Sequence, residues 1–324
     1  MKEAFVYITR GGYPECLHRF HIVIVDSKGE VIFERGDRNF FTCLRSSAKP
    51  FQAIAAMRAG IVEKYCLNEE ECAALTGSLN AEPFQIDIVR SILSKAGLTE
   101  DYLQCGAQYP SHKATAESLK REGCPPQPIY HNCAAKHTGM LLASKAKDYP
   151  LNNYLDSQHP FQREILKTVS EFTELDEKEI KTVIDGCGAP VFFMPLRNLA
   201  IGYKNLAISK ETVVEKLINS VKKYPLMIGG NERLCSDIIK VTSGRVFAKI
   251  GADGVYAAFN EEFKEGLAMK VEDGSTKPLY VMLLTVLKER NWINENELER
   301  LSNYWKIKVK NSKNVVVGEY LPQI

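Results

Sequence analysis

No apolar run in this chain approaches the length of a membrane-crossing helix, which needs about 20 residues. The longest, Tyr280 to Leu287, falls far short. The chain also lacks a dominant charge. Its 42 basic and 40 acidic residues leave a net +2, too balanced for a protein that lives on phosphate backbones or anionic membranes. Compositional bias is absent: 45% of residues are hydrophobic, 25% are charged, and glycine and proline number 21 and 14. Disordered, collagen-like and low-complexity readings are therefore excluded. The first ten residues, Met1 to Arg10, carry an early acid and no apolar stretch of signal-peptide length. A cytoplasmic location is the resulting expectation. No internal repeat is seen. A chain of 324 residues fits one large domain or two modest ones, with a core that needs no disulfide staples.

Cysteine is the unusual count. Nine are present, an odd number at irregular spacing: Cys16, Cys43, Cys66, Cys72, Cys105, Cys124, Cys133, Cys187 and Cys235. A secreted disulfide framework would be shorter and denser. Most are expected to be reduced thiols packed as small apolar residues, with one or two left as metal ligands.

Strand signals occupy both ends. Residues 4–8, 21–25 and 31–34 read as an antiparallel meander with a turn at Asp26-Ser27-Lys28-Gly29. Strands return at Arg245–Ile250, Gly254–Phe259 and Gly266–Val271, followed by a helix over Thr276–Glu289. The alternation over Trp305–Lys310 predicts an edge strand with solvated lysines. Between these groups the pattern is helical. A helix follows Ser46, with Pro50 in its first turn and Gly60 at its stop. Others are predicted at Pro83–Ala96, Lys113–Glu122, Lys136–Lys147, Pro160–Thr173, Pro195–Tyr203 and Lys210–Tyr224. The expected fold is α+β. One antiparallel sheet draws strands from both termini (about 1–45 and 240–324), with a helical lobe between (about 46–239), all in one domain.

Four segments could carry chemistry. In Arg45-Ser46-Ser47-Ala48-Lys49-Pro50, Ser46 and Lys49 are i and i+3 at a helix start and share a face. A serine hydroxyl is a weak nucleophile until a base takes its proton. A lysine can be that base when burial or a nearby cation lowers its pKa. Ser47 is either the helix cap or the nucleophile, should the register shift by one. The polar loop Thr76–Pro83 offers Ser78 as a second hydroxyl or as a cap. Lys249 with Gly251 ends a strand. Ser-x-x-Lys, a later serine, then Lys-x-Gly is the order found in penicillin-recognising and glutaminase-type serine hydrolases. Finally, Cys133 and Cys187 lie in loops flanked by small residues, near Lys136 and His137 in sequence. Two thiolates and a nitrogen suit zinc, although the spacing matches no standard zinc signature.

Together these segments resemble the asparaginase II family, the rhizobial-type L-asparaginases. The matching runs are Thr9-Arg10-Gly11-Gly12, Leu17-His18-Arg19, Arg45 to Gln52, His131-Asn132-Cys133 with Lys136 to Leu141, His159-Pro160 with Gln162, Asp185 to Pro190, Gly229-Gly230 with Arg233, and Lys249 with Gly251 to Val255. The resemblance implies a serine β-lactamase-like fold and hydrolysis of the side-chain amide of L-asparagine. It makes Ser46 the nucleophile and Lys49 its base, with Ser78 a second active-site serine. Lys249 becomes the second lysine, with Lys270 its rival. It also implies a zinc ion on Cys133, Lys136 and Cys187, completed by water, and a homodimer. Arg45, Asp185 and Arg233 are candidates for the amino-acid head group. Two runs depart from the family. Ser78-Leu79-Asn80-Ala81-Glu82 stands where Ser-His-x-Gly-Glu is usual, and Cys133-Ala134-Ala135-Lys136-His137 where Cys-Ser-Gly-Lys-His is usual. These departures leave open another serine amidohydrolase, such as a glutaminase, or a non-catalytic amino-acid-binding protein.

Overall fold

The computed structural model describes residues 2–324. Among them are strands β1 (Ala4–Arg10), β2 (Tyr13–Val25), β3 (Val31–Arg35), β4 (Phe41–Cys43), β5 (Lys181–Ile184), β6 (Pro190–Pro195), β7 (Val246–Gly251), β8 (Val255–Asn260), β9 (Glu265–Val271), β10 (Lys308–Lys310) and β11 (Val316–Gln323). The helices are α1 (Lys49–Arg58), α2 (Ile61–Lys64), α3 (Glu69–Ala74), α4 (Pro83–Lys95), α5 (Lys113–Arg121), α6 (Ala134–Ala146), α7 (Pro160–Thr173), α8 (Leu196–Ile208), α9 (Thr212–Lys223), α10 (Leu234–Val241), α11 (Thr276–Glu289), α12 (Glu295–Arg300) and α13 (Ser302–Trp305). The chain divides into two units. One is Met1–Ser47, Phe193–Ile208 and Asp237–Ile324; the other is Ala48–Phe192 and Ser209–Ser236. No helix among the described residues is long and apolar enough to cross a membrane.

The first unit holds the α+β sheet drawn from both ends of the chain. Its order is β10-β11-β1-β2-β9-β8-β7, with β3 beside β2. All these pairings are antiparallel: Phe5 lies opposite Gln323, and Val23 opposite Ala268. Alternation then sorts side chains onto two faces. Phe247, Phe259, Gly266 and Val25 form one cross-strand row. Helix α8 lies on that face. A Cβ on Gly266 would stand 2.1 Å from the Ala200 carbonyl oxygen and 2.5 Å from Lys204 N, so glycine lets the helix approach. Tyr203 of α8 packs on Phe247, which stacks on Phe259 with centroids 5.1 Å apart. Helix α11 covers the other face, where Tyr280 meets Tyr256 edge-on.

Two elements differ from expectation. Residues 193–208 fall with the sheet unit, although their position in the chain suggests the helical lobe. Periodicity reveals that α8 buries one face; it does not reveal what covers it. The stretch 305–310 is also not one strand, since Ser302–Trp305 is helical and only Lys308–Lys310 pairs, with β11 at the sheet edge. Tyr304 explains the change. Its ring meets Tyr280 edge-on and its hydroxyl donates to Asp237 at 2.5 Å, and a helical turn allows both.

The second unit is helical. Every residue of α1 from Lys49 to Met57 is buried. Arg58 then closes the helix with paired hydrogen bonds of 2.6–2.9 Å to Glu171 on α7 and Glu211 before α9. Those carboxylates hold its guanidinium above the ordinary arginine value.

Replacing Gly266 by alanine should push α8 off the sheet and lower unfolding stability by about 3 kcal/mol, read from urea-induced unfolding.

Candidate functional site

Arg45 takes a left-handed backbone, with φ +47°, and opens a 3-10 turn over Arg45–Ala48 that runs directly into α1. In the sequence Ser46 and Lys49 are i and i+3 across the junction of this turn with α1. The turn is held within the sheet unit from two sides. Tyr203 donates its hydroxyl to the Ser47 carbonyl at 2.8 Å. Gly251 lies so close that a Cβ would stand 2.6 Å from the Leu44 oxygen. Neither serine caps α1. The cap is Ala48, and no side chain bonds there. The buried Ser47 hydroxyl donates to Leu44 O at 2.6 Å, so its hydrogen is committed. Ser46 is half-buried.

Lys49 is 1% exposed. Its Nζ lies 2.6 Å from Gly77 O, 3.0 Å from Ser78 Oγ and 3.2 Å from Asn132 O. Burial lowers its pKa, with the nearby Cys133 sulfur opposing and the Lys136 ammonium adding to the effect. Ser78 is also buried. Its loop is tied on both sides: Ser78 N bonds to Ile228 O, Leu79 N to Asn132 O and Asn80 N to Gly229 O. A Cβ on Gly77 would meet the Met227 and Ala74 carbonyl oxygens at 2.6 and 2.9 Å, so only glycine brings this loop to the lysine. Ala81 adopts φ +58°, a conformation that costs alanine about 1–2 kcal/mol. The glycine usual in the family would adopt it freely, so the departure in sequence has kept the backbone.

Cys133, Lys136 and Cys187 converge within this helical unit. Lys136 donates to Cys187 Sγ at 3.1 Å, and all three residues are buried. A hydrogen bond from Cys187 and the cations Lys49 and Lys136 hold the Cys133 thiol well below its ordinary value, against burial. Cys187, keeping the shared proton, is pushed up by Cys133 and by burial. Burial pulls the Lys136 amine down, but the two sulfurs outweigh it and the net shift is upward. No trio drawn from His, Cys, Asp and Glu is placed to hold a metal among the described residues; the expected set uses an amine as its third donor. Two sulfurs and one nitrogen fit a soft cation such as Zn²⁺, provided Lys136 and Cys187 release their protons. Asp185 Oδ2 lies 3.7 Å from Cys187 Sγ.

The other expected residues are placed as follows. Lys249 on β7 is fully buried, with Nζ donating to Ile250 O at 3.2 Å. It shares a sheet face with Gly251, against which the Ser46 turn packs. Lys270 on β9 is half-buried, and burial lowers its pKa. Its Nζ donates to Asp253 O at 2.5 Å. Arg45 is ion-paired to Asp253. Arg45 and Lys270 line one cavity of about 240 Å³ with Phe41, Cys43, Phe193 and Asp253. Arg233 donates to Asn80 Oδ1 at 2.7 Å.

Sequence reasoning gave no role to Asn132, Asn80, Glu82 or Asn231. Asn132 acts through its carbonyl, which no side-chain pattern can signal. Glu82 had a readable signal, a carboxylate just before Pro83 at a helix start.

A family model described as L-asparaginase II matches residues 6–322 of the chain. No curated protein matches it. A β-lactamase (Mb2281c) from Mycobacterium bovis aligns at 14% identity and TM-score 0.42, covering 79% of this chain and 88% of that one. Mglu, in its native form in 4.3 M NaCl, aligns at 14% and 0.37, covering 85% and 62%. EstCE1, a hydrolase with promiscuous acyltransferase activity, aligns at 10% and 0.37, covering 78% and 88%. Likenesses this distant bear on neither fold nor function.

Replacing Ser47 by alanine should cost about 1 kcal/mol of unfolding stability, the worth of one buried hydrogen bond, measured by urea titration.

Proposed function

We propose that this chain, which belongs to the L-asparaginase II family, hydrolyses the side-chain amide of L-asparagine to L-aspartate and ammonia. Family membership marks it as an amidohydrolase. The finer reading rests on one observation, the surroundings of the Lys49 amine. A neutral amine has two N–H groups and one lone pair. Gly77 O and Asn132 O can only accept, so they take the two N–H groups. The lone pair is then left for the Ser78 hydroxyl, 3.0 Å away. Burial favours that neutral form.

In this reading Ser46 Oγ attacks the amide carbon and its proton passes to Lys49, which the family resemblance makes its base. Backbone N–H groups near Ser46 hold the oxyanion, each worth about 3 kcal/mol in the transition state. Ser78, in contact with Lys49, relays the proton to the departing ammonia. Water then cleaves the β-aspartyl ester. Lys249 is assigned the role of second lysine on its Lys-x-Gly motif and the resemblance, and Arg45, Asp185 and Arg233 are the candidates for the head group. Cys133, Lys136 and Cys187 would hold zinc, whose charge the two thiolates would cancel, leaving it suited to orienting substrate rather than to making hydroxide. The reading extends to a cytoplasmic homodimer, again on the resemblance alone.

The Lys49–Ser78 contact favours a second reading, in which Ser78 is the nucleophile. Mass spectrometry of the quenched enzyme decides between them by locating the aspartyl adduct on Ser46 or on Ser78. Ser46→Ala and Lys49→Met should each lower kcat/KM for ammonia release from L-asparagine on the order of a thousandfold. The Ser47→Ala variant should retain it. Wild-type activity in either of the first two would defeat the mechanism, and faster release from L-glutamine in a parallel assay would change the substrate. Tight binding without turnover would identify a sensor.

For the metal, native mass spectrometry of protein supplied with zinc should show one equivalent per chain. The Cys133→Ser, Cys187→Ser double variant should show none.

A further inference from the structure

We infer that Glu82 and Arg233 form a receptor for the zwitterionic head group of a free α-amino acid, Glu82 taking the ammonium and Arg233 the carboxylate. The inference rests on the amidohydrolase reading and narrows its substrate class.

Glu82 is 5% exposed. Its Oε1 accepts from Asn231 N at 2.7 Å and from Asn80 Nδ2 at 3.4 Å, and its Oε2 accepts from Asn231 Nδ2 at 2.6 Å. Every donor is neutral, and no cation pairs with Glu82 among the described residues. Arg233 is half-buried and donates to Asn80 Oδ1 at 2.7 Å. No carboxylate pairs with it among the described residues. Asn80 thus bridges a buried carboxylate and a guanidinium that form no direct ion pair with each other. A buried charge without a counterion is costly. An occupant carrying both opposite charges removes that cost at both ends.

The two loops are built to face each other. Asn231 N and Asn80 N bond across them. A Cβ on Gly230 would stand 2.4 Å from Glu82 Oε1 and 2.8 Å from Asn80 Nδ2, so a glycine is needed for this approach. Ser78, against Lys49, lies on the same short loop as Glu82. A head group held at Glu82 and Arg233 leaves a short side chain to reach the Lys49 end. Amides lacking an α-ammonium, and asparagine blocked at its nitrogen, would forfeit the Glu82 contact.

The test compares L-asparagine with succinamate, which has the same amide and one carboxylate but no ammonium. Glu82→Gln should raise KM for L-asparagine about thirtyfold, the worth of one charge-assisted hydrogen bond, and leave succinamate within about twofold. Arg233→Gln should raise KM for both. Equal losses on both substrates in Glu82→Gln would reduce Glu82 to a helix cap and overturn the proposal. Wild type alone gives an independent measure. It should prefer L-asparagine over N-acetyl-L-asparagine by at least about thirtyfold, and comparable turnover of the two would also overturn the proposal. Calorimetry with L-aspartate separates this inference from the one beneath it. Binding that is lost in Glu82→Gln, with no amide turned over, sustains the receptor and removes the hydrolase. Turnover of other amides with no binding of L-aspartate or L-asparagine does the reverse.

Discussion

A primary amine taken out of water must find acceptors, because an unsatisfied buried ammonium or amine costs several kcal/mol. At Lys49 the partners come from two segments of the chain: the Gly77 carbonyl and Ser78 hydroxyl of one loop, and the Asn132 carbonyl of another. Much of the helical unit's local geometry follows from delivering them. Gly77 has no side chain because a Cβ would strike two carbonyl oxygens. Asn132 O serves twice, for Lys49 and for the Leu79 N–H, so the loop that carries Ser78 is pinned to the segment that carries Cys133.

Two lysines of this unit are equally buried and shifted in opposite directions. At Lys49 burial, aided by the Lys136 charge, prevails over the nearby Cys133 sulfur, and the neutral amine gains. Lys136 faces two sulfurs, and their charge prevails over burial. The difference in surroundings, not in depth, sets the direction of each shift.

Much of this was legible in the residues. The meander, the three C-terminal strands and the helices at Pro160–Thr173 and Thr276–Glu289 follow from period and caps, since each repeats its signal over many residues. Short elements escaped. Helix α3 has six residues, too few for a period to emerge, although Asn68 and Glu71 form a capping box that marks its start. Strand β11 was hidden by Gly318 and Pro322, both averse to strands; Gly318 is there because a Cβ would collide with Thr9 O. At the candidate site, Ser46, Lys49 and Ser78 could be singled out because side chains advertise their chemistry. That Lys49 bonds to Ser78 could not, because the contact depends on where two carbonyls lie.

The pairing of β1 with β11 has a consequence in time. Residue 5 lies opposite residue 323, and β2 has β9 on its other side. A ribosome releases β1 and β2 long before β11 and β9, the strands that pair with their outer edges. For most of synthesis the meander exposes open strand edges with nothing native to pair them. Such distant pairings slow folding and lengthen exposure to aggregation. The helical unit, complete by residue 236, can gather earlier, so chaperone dependence in the cell should centre on the sheet rather than on the lysine-bearing helices.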